Sequence, residues 1–148
     1  MQIPHHIESL IRQHAEKGKT FNAYIYDTAP LKRRIGCLKR IMPQGVEVFY
    51  AMKANPHPAF LKAALQAHVT GIEIASLGEA AKAIDAGFEP EQLIYTGPGK
   101  SLEELTWCIN NSIRTIHIES LVEAHRIQAL CVKADKTQDI LLRINANF

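Results

Sequence analysis

The amino-acid sequence predicts an α/β fold built on a parallel sheet. Short, apolar, β-branched runs recur at regular spacing, centred on Phe49, Ile72, Ile94, Ile116 and Leu141. The segments between them show the periodicity of amphipathic helices. The runs are apolar throughout instead of alternating with polar residues, which is typical of strands covered on both faces. Strands and helices therefore alternate as right-handed βα units.

The repeat contains five predicted strands and four predicted helices. The strands are 46–52, 69–75, 93–96, 114–118 and 139–144, and the helices are 58–67, 77–86, 101–111 and 120–133. Two of the helices start with Ser-x-x-Glu, at Ser101 and Ser120. This pattern predicts a capping box, in which the serine and the glutamate satisfy free backbone amides of the first turn.

Residues 1–30 precede the repeat and are predicted to form a helix and a strand. Apolar residues at helical spacing predict a short helix that ends at Gly18. Residues 21–26 have the character of an extended strand, and Asp27 with Thr28 is predicted to cap the helix that follows. We therefore divide the chain into residues 1–30 and 31–148.

Two architectures contain such a repeat, a complete five-stranded doubly wound sheet and the first five units of a (β/α)8 barrel. The sequence favours the barrel, because the first strand of the repeat leads into Lys53-Ala54-Asn55-Pro56 without the glycine-rich loop of a nucleotide-binding domain. The chain also stops directly after an apolar strand. A whole barrel needs about 250 residues, so we expect a truncated one. We then expect that residues from outside 1–148 pack against the apolar interior of the sheet. The side chains that they would cover are Phe49, Ile72, Ile94, Ile116 and Leu142.

Composition and charge narrow the class of protein. The 148 residues are 47% hydrophobic and 22% charged with a net charge of +2, which fits a single globular domain. The longest basic run is Lys32-Arg33-Arg34, so electrostatics gives no reason to expect nucleic acid as a partner. We expect no membrane partner, since no apolar stretch approaches the length of a span. The three cysteines form no CxxC pair, and no secretory signal is present, so we expect a cytoplasmic protein.

Lys53 is the most informative candidate for chemistry. Catalytic groups of a parallel barrel lie at the carboxyl ends of its strands, and Lys53 follows the first strand of the repeat. A lysine partly desolvated at such a place has an amine available as a nucleophile toward a carbonyl compound. The competing interpretation is a lysine whose charged end simply extends from the core into water.

Other candidates are weaker. Gly99-Lys100-Ser101 matches the end of a phosphate-binding P-loop, but Ile94 stands where that motif begins with glycine, so we interpret the segment as a turn and helix start. His117 lies among isoleucines and is predicted to be a hydrogen-bonded core histidine. The histidines show no metal-ligand spacing apart from His5-His6, so we expect no metal.

Four blocks of sequence resemble the fold-type III pyridoxal-phosphate decarboxylases, the family of the diaminopimelate, ornithine and arginine decarboxylases. The blocks are Phe-Tyr-Ala-Met-Lys-Ala-Asn at 49–55, Gly-Ile-Glu-Ile-Ala-Ser-Leu-Gly-Glu at 71–79, Tyr-Thr-Gly-Pro-Gly-Lys-Ser at 95–101 and Leu-Arg-Ile-Asn at 142–145. They occur in the same order as in the family and extend over most of the chain.

The resemblance implies an alanine-racemase-like (β/α)8 barrel for residues 31–148 and a separate β-domain to which residues 1–30 contribute. It implies that Lys53 binds pyridoxal 5′-phosphate covalently. Glu73 and Glu79 match acidic positions near the cofactor, and Arg143 matches a basic residue close to its phenolic oxygen. The implied reaction is the decarboxylation of an amino acid, with the cofactor supplying the chemistry.

The chain corresponds to less than half of a family member. We therefore expect activity only together with the missing C-terminal part, in a homodimer of the complete enzyme. The expected substrate is an amino acid of the diaminopimelate or ornithine type, or a related secondary-metabolite or siderophore precursor. Two alternatives stay open: a non-catalytic binding or regulatory module derived from this fold, and a complete doubly wound domain that binds a phosphate-containing ligand.

Overall fold

A five-stranded parallel sheet forms the centre of the computed structural model, which describes residues 3–17 and 22–144. The strands are β1 (Phe49–Ala51), β2 (Gly71–Ile74), β3 (Leu93–Tyr95), β4 (Thr115–Ile118) and β5 (Ile140–Leu142). The helices are α1 (His5–Ala15), α2 (Ala29–Ile41), α3 (Pro58–Gln66), α4 (Leu77–Asp85), α5 (Leu102–Asn110) and α6 (Leu121–Ala134). Short 3-10 turns are formed by Met52–Ala54 and Pro90–Gln92. All five predicted strands of the repeat and all four predicted helices are confirmed.

The order of the strands distinguishes the two architectures. The strands lie side by side in the order β1-β2-β3-β4-β5, and every neighbouring pair is parallel. A doubly wound sheet reverses its strand order at a switch point, whereas a (β/α)8 barrel adds each strand on the same side of the previous one. The described sheet therefore consists of five consecutive strands of a barrel, and the doubly wound alternative is wrong.

The two faces of the sheet differ in burial. Ile72 and Ile74 on β2 and Ile116 and Ile118 on β4 are at most 4% exposed, because the helices pack against their face of the sheet. The residues between them are only partly buried and face the interior of the barrel. The expectation that Ile72 and Ile116 need cover from outside the chain is therefore wrong. Leu142, at 62% exposed, does lack cover within the described residues.

Serine caps fix the start of three helices close to the strand ends. The hydroxyl oxygens of Ser76, Ser101 and Ser120 each accept a hydrogen bond of 3.2 Å from the amide three residues later. At Ser101 the capping box is complete, since the Glu104 carboxylate accepts from the Ser101 amide at 2.8 Å. The Glu123 carboxylate accepts instead from the Glu119 amide at 3.0 Å, so the predicted box at Ser120 is only half formed.

The segment before the repeat departs from the prediction. The helix α1 is present, but residues 22–28 form no strand, because a strand requires a hydrogen-bonded neighbour and none of the described strands pairs with this segment. Phe21 lies outside the described residues. Asp27 accepts a bond of 2.9 Å from the Ala29 amide at the start of α2, and this bond is the main cause that lowers the pKa of Asp27. Thr28, the N-cap residue, makes no capping bond with its side chain, so the predicted cap is formed by Asp27 alone. No helix within the described residues is long and apolar enough to cross a membrane.

Substitution of Gly71 is expected to disrupt the sheet. A Cβ atom there would lie 1.8 Å from the carbonyl oxygen of Gln92 and 2.8 Å from Cε1 of Phe49. Gly71→Ala must displace backbone and should lower the free energy of unfolding by about 3 kcal/mol or more, the upper end for overpacking. Urea denaturation of the intact protein measures this.

The matched control is Gly36→Ala on α2, where a Cβ would meet no atom within 4 Å. Alanine is the better helix former, so this variant should gain about 0.5–1 kcal/mol. Equal stability of the two alanine variants would contradict the close approach at Gly71.

Candidate functional site

A cavity of about 410 Å³ opens at the carboxyl ends of the strands, on the face of the sheet away from the helices. Side chains from several strand ends meet there because every strand of a parallel sheet ends at the same edge. The cavity therefore combines an amine, carboxylates, an imidazole and a guanidinium within one space. Its lining residues are Lys53, Glu73, Ala75, Thr96, Gly97, His117, Glu119 and Arg143.

Lys53 reaches the cavity from the 3-10 turn that follows β1. The turn is anchored by Met52, which is completely buried. The Nζ atom of Lys53 lies 3.6 Å from Oε1 of Glu73, and its side chain is 78% exposed. We expected the Lys53 amine to be partly desolvated, but no residue in the described part of the chain covers it. An ion pair so exposed contributes no more than about 1 kcal/mol to stability.

Glu73 occupies the interior-facing position of β2 between Ile72 and Ile74. Its Oε1 atom accepts a hydrogen bond of 3.1 Å from the hydroxyl of Thr96, which follows β3. The Thr96 amide in turn donates to the carbonyl of Ile74 at 2.8 Å, so the threonine is fixed to the sheet. The carboxylate is thereby held beside Lys53.

Arg143 extends from the end of β5. Its amide donates to the carbonyl of Ile118 at 2.9 Å, which continues the sheet, and its guanidinium pairs with Glu119 at 3.1 Å. The side chain of Arg143 is 56% exposed, so it stays accessible to an anionic group in the cavity. The structure thus brings together all three residues singled out for the site, namely Lys53, Glu73 and Arg143.

His117 differs from its prediction. It is half-buried, lines the cavity, and its Nε2 atom is buried with no hydrogen-bond partner among the described residues. The prediction of a hydrogen-bonded core histidine is therefore wrong. Burial lowers the pKa of His117, the positive charges of Lys100 and Arg143 lower it further, and the negative charge of Glu73 opposes them. The signal in the sequence was its alternation with Ile116 and Ile118, which directs the ring to the interior face.

Glu79 does not line the cavity. Its carboxylate accepts a hydrogen bond of 2.7 Å from the Ala75 amide, and its own amide donates to Ser76. These are the contacts of a residue that caps α4. The sequence signal for this role was the Ser-x-x-Glu pattern at Ser76, which is the same as at Ser101.

Lys100 is a buried cation behind the cavity. Its side chain is 1% exposed, and Nζ forms an ion pair of 2.8 Å with Glu123, whose side chain is 9% exposed. Nζ also donates to the carbonyl of Gly97 at 2.5 Å and lies 5.9 Å from the centre of the Tyr95 ring. These contacts occupy the amine, which supports the rejection of a phosphate-binding P-loop. They also tie the loop after β3, including the cavity residue Gly97, to the start of α6.

The hydroxyl of Tyr95 extends this polar layer to α5. It donates a hydrogen bond of 2.6 Å to Glu104, and this bond is the main cause that lowers the pKa of the Glu104 carboxyl. Burial raises the pKa of Tyr95, so the phenol stays a donor. Sequence reasoning missed this layer, because its pairs join residues from different βα units.

Within residues 3–17 and 22–144, no group of three or more His, Cys, Asp or Glu residues could hold a metal ion.

Comparison with known proteins identifies relatives for most of the chain. Residues 28–148 match the family described as "Pyridoxal-dependent decarboxylase, pyridoxal binding domain". The 2-[(L-alanin-3-ylcarbamoyl)methyl]-2-hydroxybutanedioate decarboxylase of Staphylococcus aureus is 36% identical over 140 residues, which cover 94% of this chain and 34% of that protein. The diaminopimelate decarboxylase of Aquifex aeolicus is 32% identical over 132 residues, 88% of this chain and 31% of that protein.

A solved structure shows the same fold. The diaminopimelate decarboxylase of Helicobacter pylori, complexed with L-lysine, superimposes with a TM-score of 0.82 and 24% identity over 90% of this chain and 34% of that chain. The chain thus spans about a third of the length of these relatives.

Removing one partner of the ion pair behind the cavity is expected to destabilise the fold. Lys100→Met leaves the Glu123 carboxylate buried without a counter-charge, which should cost about 3–5 kcal/mol of stability. The double variant Lys100→Met/Glu123→Leu should recover most of that loss, because no buried charge remains. Urea denaturation midpoints of the intact protein measure both.

The control is Arg12→Ala, which removes an exposed i,i+4 pair with Glu8 on α1. Such a pair contributes only about 0.2–0.5 kcal/mol. If Lys100→Met were as mild as Arg12→Ala, the buried ion pair would have no structural importance.

Proposed function

The chain belongs to the family of pyridoxal-dependent decarboxylases, and on that premise we propose that it is the cofactor-binding part of an amino-acid decarboxylase. The proposed reaction releases the substrate carboxylate as CO₂ by breaking a carbon–carbon bond. The observation that carries the proposal is the meeting of Lys53, Glu73, His117 and Arg143 in one cavity at the carboxyl ends of the strands. The family's cofactor is pyridoxal 5′-phosphate.

The residues of the cavity fit this cofactor chemically. Pyridoxal phosphate has an aldehyde, a phenolic oxygen and a phosphate. Lys53 offers an exposed amine for the aldehyde, and Arg143 offers an accessible cation for an anionic oxygen. The buried Nε2 atom of His117 has no partner among the described residues and is available for a further polar atom.

Each residue has a separate proposed task. Lys53 binds the cofactor through Nζ. Glu73, held by Thr96, keeps its Oε1 atom 3.6 Å from Nζ and so places a negative charge beside the amine. Arg143 holds the phenolic oxygen, and Glu119 orients its guanidinium. When bound, the cofactor accepts the electron pair that remains at the substrate when CO₂ leaves.

The rest of the active enzyme is proposed to come from a C-terminal part. The interior-facing side of the sheet and the Lys53 amine have little cover within the described residues, which supports this proposal. We propose that residues 1–30 join a separate β-domain, because residues 22–28 have no pairing strand in the described sheet.

We also propose that the complete enzyme is a homodimer. Its proposed substrate is an amino acid of the diaminopimelate or ornithine type, or a related secondary-metabolite or siderophore precursor. The name of the Aquifex relative, diaminopimelate decarboxylase, supports the first of these substrate types.

A non-catalytic binding module is the second candidate. The exposure of Lys53 favours it, because an amine at 78% exposure has the solvation of an ordinary surface lysine. The two candidates differ in whether the intact protein forms a covalent bond with the cofactor at this residue.

Replacement of Lys53 tests the proposal. Lys53→Ala in the intact protein should abolish the visible absorption of the bound cofactor and lower turnover by several orders of magnitude, as expected for loss of a covalent catalyst. Borohydride reduction followed by peptide mass spectrometry should find the cofactor on Lys53 in the wild-type protein.

Lys62→Ala is the control, because Lys62 is an exposed lysine on α3 outside the cavity. It should leave absorption and turnover unchanged. Cofactor attached to another lysine, or a Lys53→Ala variant with normal turnover, would refute the role of Lys53.

Residues 1–148 expressed alone are expected to be inactive and to self-associate. Ile140, Leu141 and Leu142 of the edge strand β5 are 44%, 55% and 62% exposed, and an exposed apolar edge is a template for pairing. Sedimentation velocity should show oligomers that become a defined species when the complementary part is supplied. A monodisperse monomer with one sharp thermal transition would contradict this expectation.

A further inference from the structure

The unpartnered nitrogen of His117 has no role in the folded chain alone. Its Nε2 atom is buried and makes no hydrogen bond among the described residues. Leaving such a group unsatisfied destabilises the folded chain. A buried polar atom beside a cavity is satisfied when the cavity is filled by a molecule with a complementary polar atom.

The sheet prevents His117 from turning away. On β4, Ile116 pairs with Ile140 and His117 pairs with Leu141 of β5, while Tyr95 of β3 pairs with Ile116 on the other side. Ile116 and its neighbour Ile118 are at most 4% exposed on the helix face. A rotation that hid His117 would expose both isoleucines, so the imidazole stays on the interior face.

The charges around His117 favour the neutral ring. The groups that act on it are Glu73 from β2, Lys100 from the loop after β3, and Arg143 after β5, and the cavity is also lined by Lys53 and Glu119. Burial and the two cations Lys100 and Arg143 lower the pKa of His117 more than Glu73 raises it. A neutral imidazole has one donor and one acceptor nitrogen, so it can bond a polar atom without adding charge to the site.

We propose that His117 is a cofactor-contacting residue whose Nε2 atom forms a direct hydrogen bond with pyridoxal phosphate in this cavity. The inference rests on the proposed function and deepens it, because it assigns a contact to a β4 residue outside the four blocks that carry the family resemblance. In the cofactor-free chain the unsatisfied Nε2 atom of His117 destabilises the fold. The hydrogen bond with the cofactor removes this destabilisation.

A pair of variants of similar shape tests the proposal in the intact protein. His117→Gln keeps a hydrogen-bonding group near the position of Nε2, whereas His117→Met fills similar space without one. His117→Met should raise the dissociation constant for pyridoxal phosphate about tenfold, as expected for one lost hydrogen bond. His117→Gln should stay within about threefold of the wild type, since its amide can replace the bond. Titration followed by cofactor absorbance measures both.

The stability of the cofactor-free protein is a second measurement. His117→Met should weaken cofactor binding but should not lower this stability. His117→Met removes a buried unsatisfied nitrogen, so its urea midpoint without cofactor should be at or above that of the wild type. A residue needed only for folding would lower the midpoint. Thr115→Val is the matched control, because Thr115 is a partly buried residue on the same strand and face but outside the cavity, and its cofactor affinity should be unchanged.

The possible failures are distinguishable. If the wild-type protein binds no pyridoxal phosphate, the proposed function fails. If the wild type binds it and His117→Met binds it equally well, only the contact is overturned. A variant with unchanged cofactor affinity and a raised KM for the amino acid would assign Nε2 to the substrate and would also overturn the proposal.

Discussion

Successive side chains of a strand point to opposite faces of a sheet, and the rest of this structure depends on that constraint. Helices cover one face, so the residues that point to it form the apolar core, from Ile72 on β2 to Ile118 on β4. The alternate positions face the barrel interior and are free to be polar. Glu73 and His117 occupy such positions. One periodicity therefore produces both a core and a polar site from strands that are mostly apolar.

A second polar layer lies behind the cavity and supports its wall. Lys100 and Glu123 are buried as a pair, and Lys100 also holds the carbonyl of Gly97. The cavity residues Thr96 and Gly97 belong to the same short loop. Because a buried charge is tolerated only with its partner, the Lys100 contacts tie the loop after β3 to α6. The chemistry of the site is thus linked to packing on the opposite face of the sheet.

Local sequence patterns predicted the elements of this fold but only part of its site. The βα repeat and the serine caps were visible because they depend on residues close in sequence, and the family resemblance identified Lys53, Glu73 and Arg143. His117 was assigned to the core because its neighbours in sequence are apolar. In a strand, however, these neighbours point to the opposite face of the sheet. The pair of Lys100 with Glu123 joins residues from two βα units, and no spacing rule predicts it. Residues 21–26 were predicted to form a strand, but a strand requires a partner, and the described sheet provides none for residues 22–26.

The sequential order of the strands also determines how this sheet can be assembled during synthesis. Each strand pairs with the one made immediately before it, so a βα unit can dock once it has left the ribosome, without waiting for distant sequence. Besides the outer side of β1, which has no partner in the described sheet, the open edge at any moment is the strand synthesised last, and it is the surface with which the next strand pairs. An unpaired strand edge is a template for pairing with another chain, so the speed of elongation sets how long each edge is open to such pairing.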